Sequence, residues 1–320
     1  MSAAPIAVSS TARRSNFWAR LRSGDDIAYL ITFLAAISVI AITGLLVYEL
    51  WINSTQARHT FGWGFLTSDE WDPVANKLGA AAYIYGTVMS SLVALVIGVP
   101  LGVGAAIFLA ELAPPGISSA LTFLIELLAA VPSVIFGLLG FLVLIPKLAD
   151  AEPFLHKALG WLPIFSGSFN GFSIFTAGLV LAIMIIPFII SISREVILAV
   201  PGDQREAALA LGATRWETTW DVVVPYAKTG IYGSIFLALA RSLGETMAVT
   251  MVIGNQAQIS KSLFAPGYSI AAIIANDFAE AGQGLYLSAL FELALVLFAL
   301  TIVINGVARL LVMATTRKNS

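Results

Sequence analysis

The sequence predicts an all-α integral membrane protein with six transmembrane helices. Of its 320 residues 58% are apolar and only 11% are charged, and the apolar residues occur in blocks of membrane-spanning length. A soluble domain has about 25% charged residues, so a soluble globule and a disordered chain are both excluded. The formal net charge of −2 indicates no nucleic-acid partner, and the absence of cysteine excludes disulfides and thiolate metal sites.

Each predicted span must be helical, because lipid offers no partner for an unpaired backbone group. The first span, Ile27–Tyr48, carries no charge. The second contains Gly98, Pro100 and Gly102, which predict a kink or close helix contacts. The five later spans are predicted at Ala82–Ala110, Ile117–Pro146, Phe172–Ser193, Gly230–Gly254 and Leu285–Ala308.

The distribution of Lys and Arg predicts that both termini are cytoplasmic. With the termini placed inside, eleven of the 17 basic residues fall on the inner side, five fall outside and Arg241 lies within a span. The resulting division is a cytoplasmic tail (1–26), the first span (27–48), an outer Trp-rich segment (49–81), a core of five spans (82–312) and a second cytoplasmic tail (313–320).

The inner loop between the fourth and fifth spans contains two helix signals in succession. Asp203 and Glu206 have the spacing of an N-cap and its reciprocal partner, and Gly212 suits the left-handed position that ends a helix. Thr214, with a glutamate three residues later, repeats the capping signal, and Pro225 is expected to end the second helix. The loop therefore predicts a helix, a glycine corner and a second helix outside the membrane.

Such a hairpin could lie on the inner leaflet or contact another protein. Its apolar stripe is formed by Ala207, Ala208 and Leu211. The small side chains in this stripe favour a close protein contact over insertion into lipid.

The loop of residues 201–225 resembles the EAA loop of ABC importer permeases. The matching anchors are Glu206-Ala207-Ala208, Gly212, and Val222-x-Val224-Pro225, where the family has Ile-x-Leu-Pro. The resemblance implies the type I ABC importer permease fold, and it implies that the loop is the coupling helix that docks in a groove of a separate ATP-binding subunit. The docking residues would be Glu206, Ala207, Ala208 and Gly212.

Arg241 and Glu245 are four residues apart in the predicted fifth span, which places them on one face of a helix. An isolated Arg at the bilayer centre costs about 2.5–3.5 kcal/mol on insertion scales. Glu245 could simply neutralise Arg241 so that the span inserts, or the pair could line a translocation path.

The sequence around this pair resembles the PstC-type permeases of phosphate ABC importers over roughly residues 27–315. The matching segments are Ala240–Val249, Ile253–Asn255, Glu126–Ser133 and Glu292-Leu293. The resemblance implies that inorganic phosphate is the cargo. Arg241 would bind phosphate transiently through two oxygens, and Glu245 would hold the Arg241 side chain between transits.

The same resemblance implies the partners and the location of the chain. These are a PstA-like second permease, two PstB-like ATP-binding subunits and an external PstS-like phosphate-binding protein, in the plasma (inner) membrane of a bacterium. The outer segments Trp51–Gly79 and Gln256–Gly284 would receive the binding protein. The chain itself is expected to have no catalytic residue, metal or cofactor, because the partner ATPase uses the ATP and Mg²⁺.

Three other functions are weighed against this one. An enzyme is disfavoured because the sequence has no phosphate-binding Gly-x-x-x-x-Gly-Lys loop, no His-Glu-x-x-His and no cysteine. A secondary transporter often shows internal repeats, and none is found here. An ABC permease for another oxyanion, such as sulfate or molybdate, or for an organic solute stays open. Structural roles are expected for Glu126 and Glu292, and interfacial or loop positions in the outer segments for His59 and His156.

Overall fold

The computed structural model describes residues 25–317, which are almost wholly helical. Within this range six helices are long and apolar enough to cross a membrane, as the sequence predicts. Their bounds are Asp25–Asn53 (α1), Ala81–Leu112 (α4), Ser133–Asp150 (α6), Ile174–Leu198 (α8), Arg215–Leu243 (α10) and Leu285–Arg317 (α13). Of the predicted tails 1–26 and 313–320, residues 1–24 and 318–320 lie outside the described residues.

Shorter elements connect these helices. Seven are α-helical: Thr55–Phe61 (α2), Gly64–Thr67 (α3), Pro115–Ala129 (α5), Glu152–Leu159 (α7), Gly202–Ala210 (α9), Met247–Thr250 (α11) and Ile270–Asp277 (α12). Two short antiparallel strands, Trp71–Asp72 (β1) and Lys77–Leu78 (β2), and a 3₁₀ turn at Pro163–Phe165 complete the described elements.

The chain divides into two compact units between Ile52 and Asn53. The first unit contains most of α1, whose apolar side chains are largely exposed. The second unit contains all the other elements, with α8 as its most buried span.

Helices α4 and α8 pack closely through glycine. A Cβ added to Gly98 would lie 2.9 Å from the side chain of Ile185, and one added to Gly102 would lie 2.8 Å from that of Ile189. Helix α4 also continues through Pro100. The predicted close contact of this span is confirmed at these two glycines, since any larger side chain there would separate the helices.

The third span is not the single helix Ile117–Pro146 that the sequence predicts. The segment forms two helices, α5 and α6, separated by Ala130, Val131 and Pro132. Pro132 has no N–H to donate, and its ring disfavours helical geometry at the preceding residue, so the first helix ends there. The 15 residues of α5 span only about 22 Å, so α6 is the helix of membrane-spanning length.

The fifth span is shifted towards the N-terminus from the predicted Gly230–Gly254. Helix α10 begins at Arg215 and ends at Leu243. The prediction that Pro225 ends a helix is wrong. The wider π turn at Thr218–Val223, which Val224 separates from this proline, relieves the clash that its ring would cause in a regular α-helix.

The Trp-rich segment that follows α1 is folded onto the last helix. Phe65 and Leu78 are buried in the same apolar cluster as Leu290 of α13. The backbone N–H of Ala57 donates to Ser288 Oγ at 3.1 Å. This segment is therefore part of the second unit.

Candidate functional site

Helix α9 ends at a glycine corner, as predicted. Gly212 has φ +90°, its N–H donates to Leu209 O at 3.0 Å, and the N–H of Ala213 donates to Ala208 O at 3.1 Å. These two bonds form a Schellman motif, which satisfies carbonyls left free at the end of a helix. The left-handed conformation is open to glycine at little cost, so this residue type sets the direction of the chain.

Of the two predicted capping boxes only the second forms. Thr214 N–H donates to Glu217 Oε2 at 2.7 Å, and Glu217 N–H donates to Thr214 Oγ1 at 3.3 Å. The predicted box of Asp203 and Glu206 is wrong, because Pro201 occupies the N-cap position of α9. Asp203 instead lies in the first turn, where its negative charge interacts favourably with the helix dipole.

The residues predicted to dock an ATP-binding subunit lie on an accessible surface. Glu206, Ala207 and Gly212 are exposed, and Ala208 is half-buried. Leu211, at the end of the same helix, is 89% exposed. Leu209 on the same helix is also exposed, so α9 presents more than one accessible apolar side chain.

Two tryptophans extend this apolar surface onto the beginning of α10. The rings of Trp216 and Trp220 pack edge to face with 5.6 Å between centroids, and both are exposed. Trp is enriched at the interface between membrane and water, so the pair indicates that α10 enters the membrane here. No sequence pattern had assigned a role to these two residues.

An ion pair that the sequence analysis missed attaches α9 to the rest of the unit. Arg205 Nη2 lies 2.7 Å from Glu111 Oε1 at the end of α4. Arg205 directly precedes the predicted docking residues, but no local signal in the sequence connects it with a carboxylate 94 positions earlier.

Arg241 lies in the last turn of α10 and is exposed. Its Cζ atom is 5.9 Å from the ring centroid of Phe188 on α8, within the range of a cation–π contact. The C-terminal carbonyls of a helix also stabilise a positive charge in its last turn. The guanidinium is therefore held by an aromatic ring and a helix end while its surface stays accessible.

Glu245 does not share a helix with Arg241, contrary to the prediction. Helix α10 ends before Gly244, and Glu245 Oε1 accepts a hydrogen bond from the N–H of Ala248 at 3.3 Å, at the beginning of α11. Of the ion pairs formed within residues 25–317, none joins these two side chains. The carboxylate satisfies a free backbone N–H of the next helix instead.

A polar cavity of about 370 Å³ is lined in part by the last residue of α11 and the residues that follow it. Its polar lining consists of Asn170, Thr250, Asn255 and Gln256. Asn255 has φ +51°, and its Nδ2 donates to Thr250 O at 3.0 Å. Amide and hydroxyl groups of this kind can bond water or anionic oxygens without carrying charge. The sequence pattern did not predict this cavity.

The segment Gln256–Gly284 is fixed to the core near this cavity. Gly267 N–H donates to Ile253 O at 3.0 Å. Burial raises the pKa of Tyr268, which outweighs the opposite effect of Asn276 Nδ2 donating to its hydroxyl oxygen at 2.8 Å. The segment therefore presents a preformed surface.

The structural roles expected for Glu126 and Glu292 stay predictions. Glu292 is 5% exposed, and its Oε2 has no hydrogen-bond partner among residues 25–317. Glu126 is exposed on α5. Neither histidine lies in a loop, because His59 is in α2 and His156 is in α7, where its Nε2 lies 2.7 Å from Gly167 O. Within the described part of the chain, no group of three or more His, Asp or Glu side chains is placed to hold a metal ion.

Comparison with known proteins identifies the family. Residues 98–317 match the family described as binding-protein-dependent transport system inner membrane component. The phosphate transport system permease protein PstC of Mesorhizobium japonicum is 46% identical over 294 residues, which cover 90% of each chain. The protein of the same name from Haemophilus influenzae is 46% identical over 286 residues, 88% of this chain and 90% of its own.

A solved structure shows the same fold. The inward-facing MetNI methionine ABC transporter has a TM-score of 0.53 at 16% identity, over 72% of this chain and 94% of its own. The match over residues 98–317 and the identity with relatives along nine-tenths of the chain agree with this fold, and the chain belongs to the binding-protein-dependent transport system inner membrane component family.

Proposed function

We propose that this chain is the PstC-type permease subunit of an ATP-driven importer that moves inorganic phosphate across the bacterial plasma membrane. The observation that carries the cargo is the 46% identity to permeases named for phosphate transport, which extends over 90% of the chain. The methionine transporter, at 16% identity, supports the fold and has no bearing on the cargo.

The exposed hairpin supports coupling to a separate ATPase. Glu206, Ala207 and Gly212 are accessible on α9, and the Schellman corner fixes the direction in which α9 meets α10. One of two PstB-like subunits would bind this surface, the other would bind the second permease, and both would hydrolyse ATP with Mg²⁺. The chain has no catalytic, metal or cofactor role in this scheme and acts as the part that is moved.

The remaining subunits follow from the proposed orientation. Both termini and α9 face the cytoplasm, as the excess of Lys and Arg on that side favours. A PstA-like permease completes the path, and a PstS-like phosphate-binding protein contacts the outer segments Trp51–Gly79 and Gln256–Gly284. The fixed fold of the second segment supports this role, because a preformed surface loses little entropy on binding.

Arg241 is the residue that we assign to phosphate. Its guanidinium is always charged, can bond two oxygens at once and is accessible at the end of α10. A cation without a tight carboxylate partner can exchange one weak contact for phosphate and then release it. In this conformation Phe188, rather than Glu245, contacts the guanidinium, so we assign Glu245 to the beginning of α11.

The test is reconstitution of the complete complex in liposomes loaded with ATP, with labelled phosphate and the binding protein outside. We expect uptake that requires both ATP and the binding protein, and that unlabelled phosphate suppresses more strongly than sulfate or molybdate. Uptake that persists without ATP and is abolished by an uncoupler would indicate a secondary transporter. Suppression by sulfate or molybdate at least as strong as that by phosphate would indicate another oxyanion.

A further inference from the structure

The side chain of Arg205 connects three structural elements at one end of the second unit. On α9 it stands next to the predicted docking residue Glu206. Its Nε and Nη2 donate to Glu111 Oε1 at 3.1 and 2.7 Å, and Glu111 lies in the last turn of α4. One guanidinium therefore attaches the exposed helix to a membrane span.

The same guanidinium also reaches the end of α8. Nη2 donates to Ile197 O at 2.8 Å, and Nη1 donates to Val200 O. The carbonyl of Ile197 also accepts from the N–H of Val200 at 3.2 Å, so Arg205 adds a second bond to a carbonyl that already closes the end of the helix. Only arginine has enough donors in a planar fork to bond a carboxylate and two carbonyls together.

The ion pair is much better shielded from water than the pair that Lys77 forms with Glu70. The side chains of Arg205 and Glu111 are 22% and 11% exposed, whereas those of Lys77 and Glu70 are 63% and 60% exposed. Exposed pairs contribute little, but removing one partner of a shielded pair leaves an uncompensated charge. The pair therefore resists a displacement of α9 relative to α4.

Helix α9 has few other attachments. All of Gly202–Ala210 is described, and within it no side chain is fully buried and only Arg205 and Ala208 are half-buried. The two spans that Arg205 reaches are themselves tightly packed through the glycines of α4. A force applied to α9 can thus pass through Arg205 into a rigid pair of spans.

We propose that the Arg205–Glu111 ion pair transmits the displacement of α9 to spans α4 and α8. The inference rests on the proposed function, since it takes the ATPase as the source of the displacement. Arg205 is a positioning residue that contacts neither phosphate nor nucleotide. Without the pair, the ATPase still binds α9 and hydrolyses ATP, but the spans no longer follow.

The test compares wild type, Glu111→Gln, Arg205→Gln and the double variant in the reconstituted complex. Glu195→Gln is the matched control, because Glu195 pairs with Arg194 near the end of α8 but is 73% exposed. We expect normal ATPase co-purification, with phosphate imported per ATP falling about tenfold in each single variant, the order expected when a charged hydrogen-bond partner is lost. The double variant should lose no more than either single variant.

A second measurement reports the mechanical link without reference to the cargo. Since the chain has no cysteine, spin labels can be placed at exposed positions of α9 and α4 through Gln204→Cys and Leu101→Cys. The distance between the labels should stay constant on ATP binding in the otherwise wild-type complex and should change in Glu111→Gln.

Three outcomes would overturn the inference: a wild-type ratio of phosphate to ATP in Glu111→Gln, loss of the ATPase from that variant, or additive losses in the double variant.

The measurement on the wild-type complex distinguishes failure of this inference from failure of the proposed function. A wild-type complex that hydrolyses ATP but imports no phosphate contradicts the cargo, and the label distances still test the link. If a single variant fails to reach the membrane, the double variant, which leaves no unpaired charge, supplies the comparison.

Discussion

Replacing Gly212 with alanine isolates the conformation of the hairpin from its packing. Gly212 has φ +90°, and a Cβ built on it meets no atom within 4 Å. Alanine would therefore fit the space but not the backbone angle. Left-handed geometry costs an L-residue about 1–2 kcal/mol, which shifts the population of the native hairpin by about 5–30-fold.

The assay measures retention of the ATP-binding subunits after detergent extraction, together with ATP-driven phosphate uptake. Gly212→Ala should lower both and leave the amount of protein in the membrane unchanged, because the added Cβ meets no atom of the spans within 4 Å. Gly212→Asn should lower them less, because Asn adopts the left-handed region more readily than Ala. Gly202→Ala is the control, since that glycine is equally open and lacks a positive φ.

The result that would refute this reasoning is a Gly212→Ala complex that keeps its ATPase and imports phosphate as well as the Gly202→Ala complex does. The corner would then have no part in positioning α9 for docking. A lower membrane level in Gly212→Ala alone would instead show that the hairpin contributes to folding of the spans.

Three further outcomes are expected. Arg241→Ala should retain the ATPase and lose most of its uptake of labelled phosphate. Arg241→Lys should keep an intermediate uptake, because Lys carries the charge without the planar fork of donors. Unchanged uptake in Arg241→Ala at normal protein level would contradict the assignment. Gly102→Leu should lower the melting temperature of the purified chain by several degrees, because the added Cβ would lie 2.8 Å from the side chain of Ile189. Gly104→Leu is the control and should change the melting temperature little, because Gly104 faces open space. Equal shifts in the two variants would argue against the glycine contact. Thr214→Ala should weaken ATPase binding by up to about fivefold, because loss of the N-cap destabilises the helix by about 1 kcal/mol. Thr214→Ser keeps the capping hydroxyl and should bind normally. Identical binding by the two variants would exclude a role for the cap.

Hydropathy located the membrane segments better than it located their ends. The predicted fifth span began 15 residues after the observed start of α10 at Arg215 and continued past its end at Leu243. Apolar content does not distinguish a continuous helix from one that breaks at a glycine, and Pro225 is accommodated by a π turn that no residue type announces. The break at Pro132 in the third span could have been inferred from the proline alone.

The two halves of the candidate site differ in how far local pattern determined them. The Gly212 corner and the Thr214–Glu217 box were predictable, because each is built from residues within six positions of one another. The contact between Arg241 and Phe188 was not, because it depends on how α10 crosses α8. Glu245 was predicted to pair with Arg241 because residues four positions apart share one face of a continuous helix. The helix ends at Leu243, between the two residues, so this spacing does not bring their side chains together.

Membrane class, helix count, the exposed hairpin and the family motif are all properties of composition and short spacing, so the order of residues along the chain was sufficient for them. The ends of the broken spans, the partner of Glu245 and the link from Arg205 to Glu111 were decided by packing. The physical reason is distance along the chain: Arg205 and Glu111 are 94 positions apart and meet only because α4 and α8 bring their ends together beneath α9. Such a contact is set by the arrangement of whole helices, to which a local pattern contributes nothing.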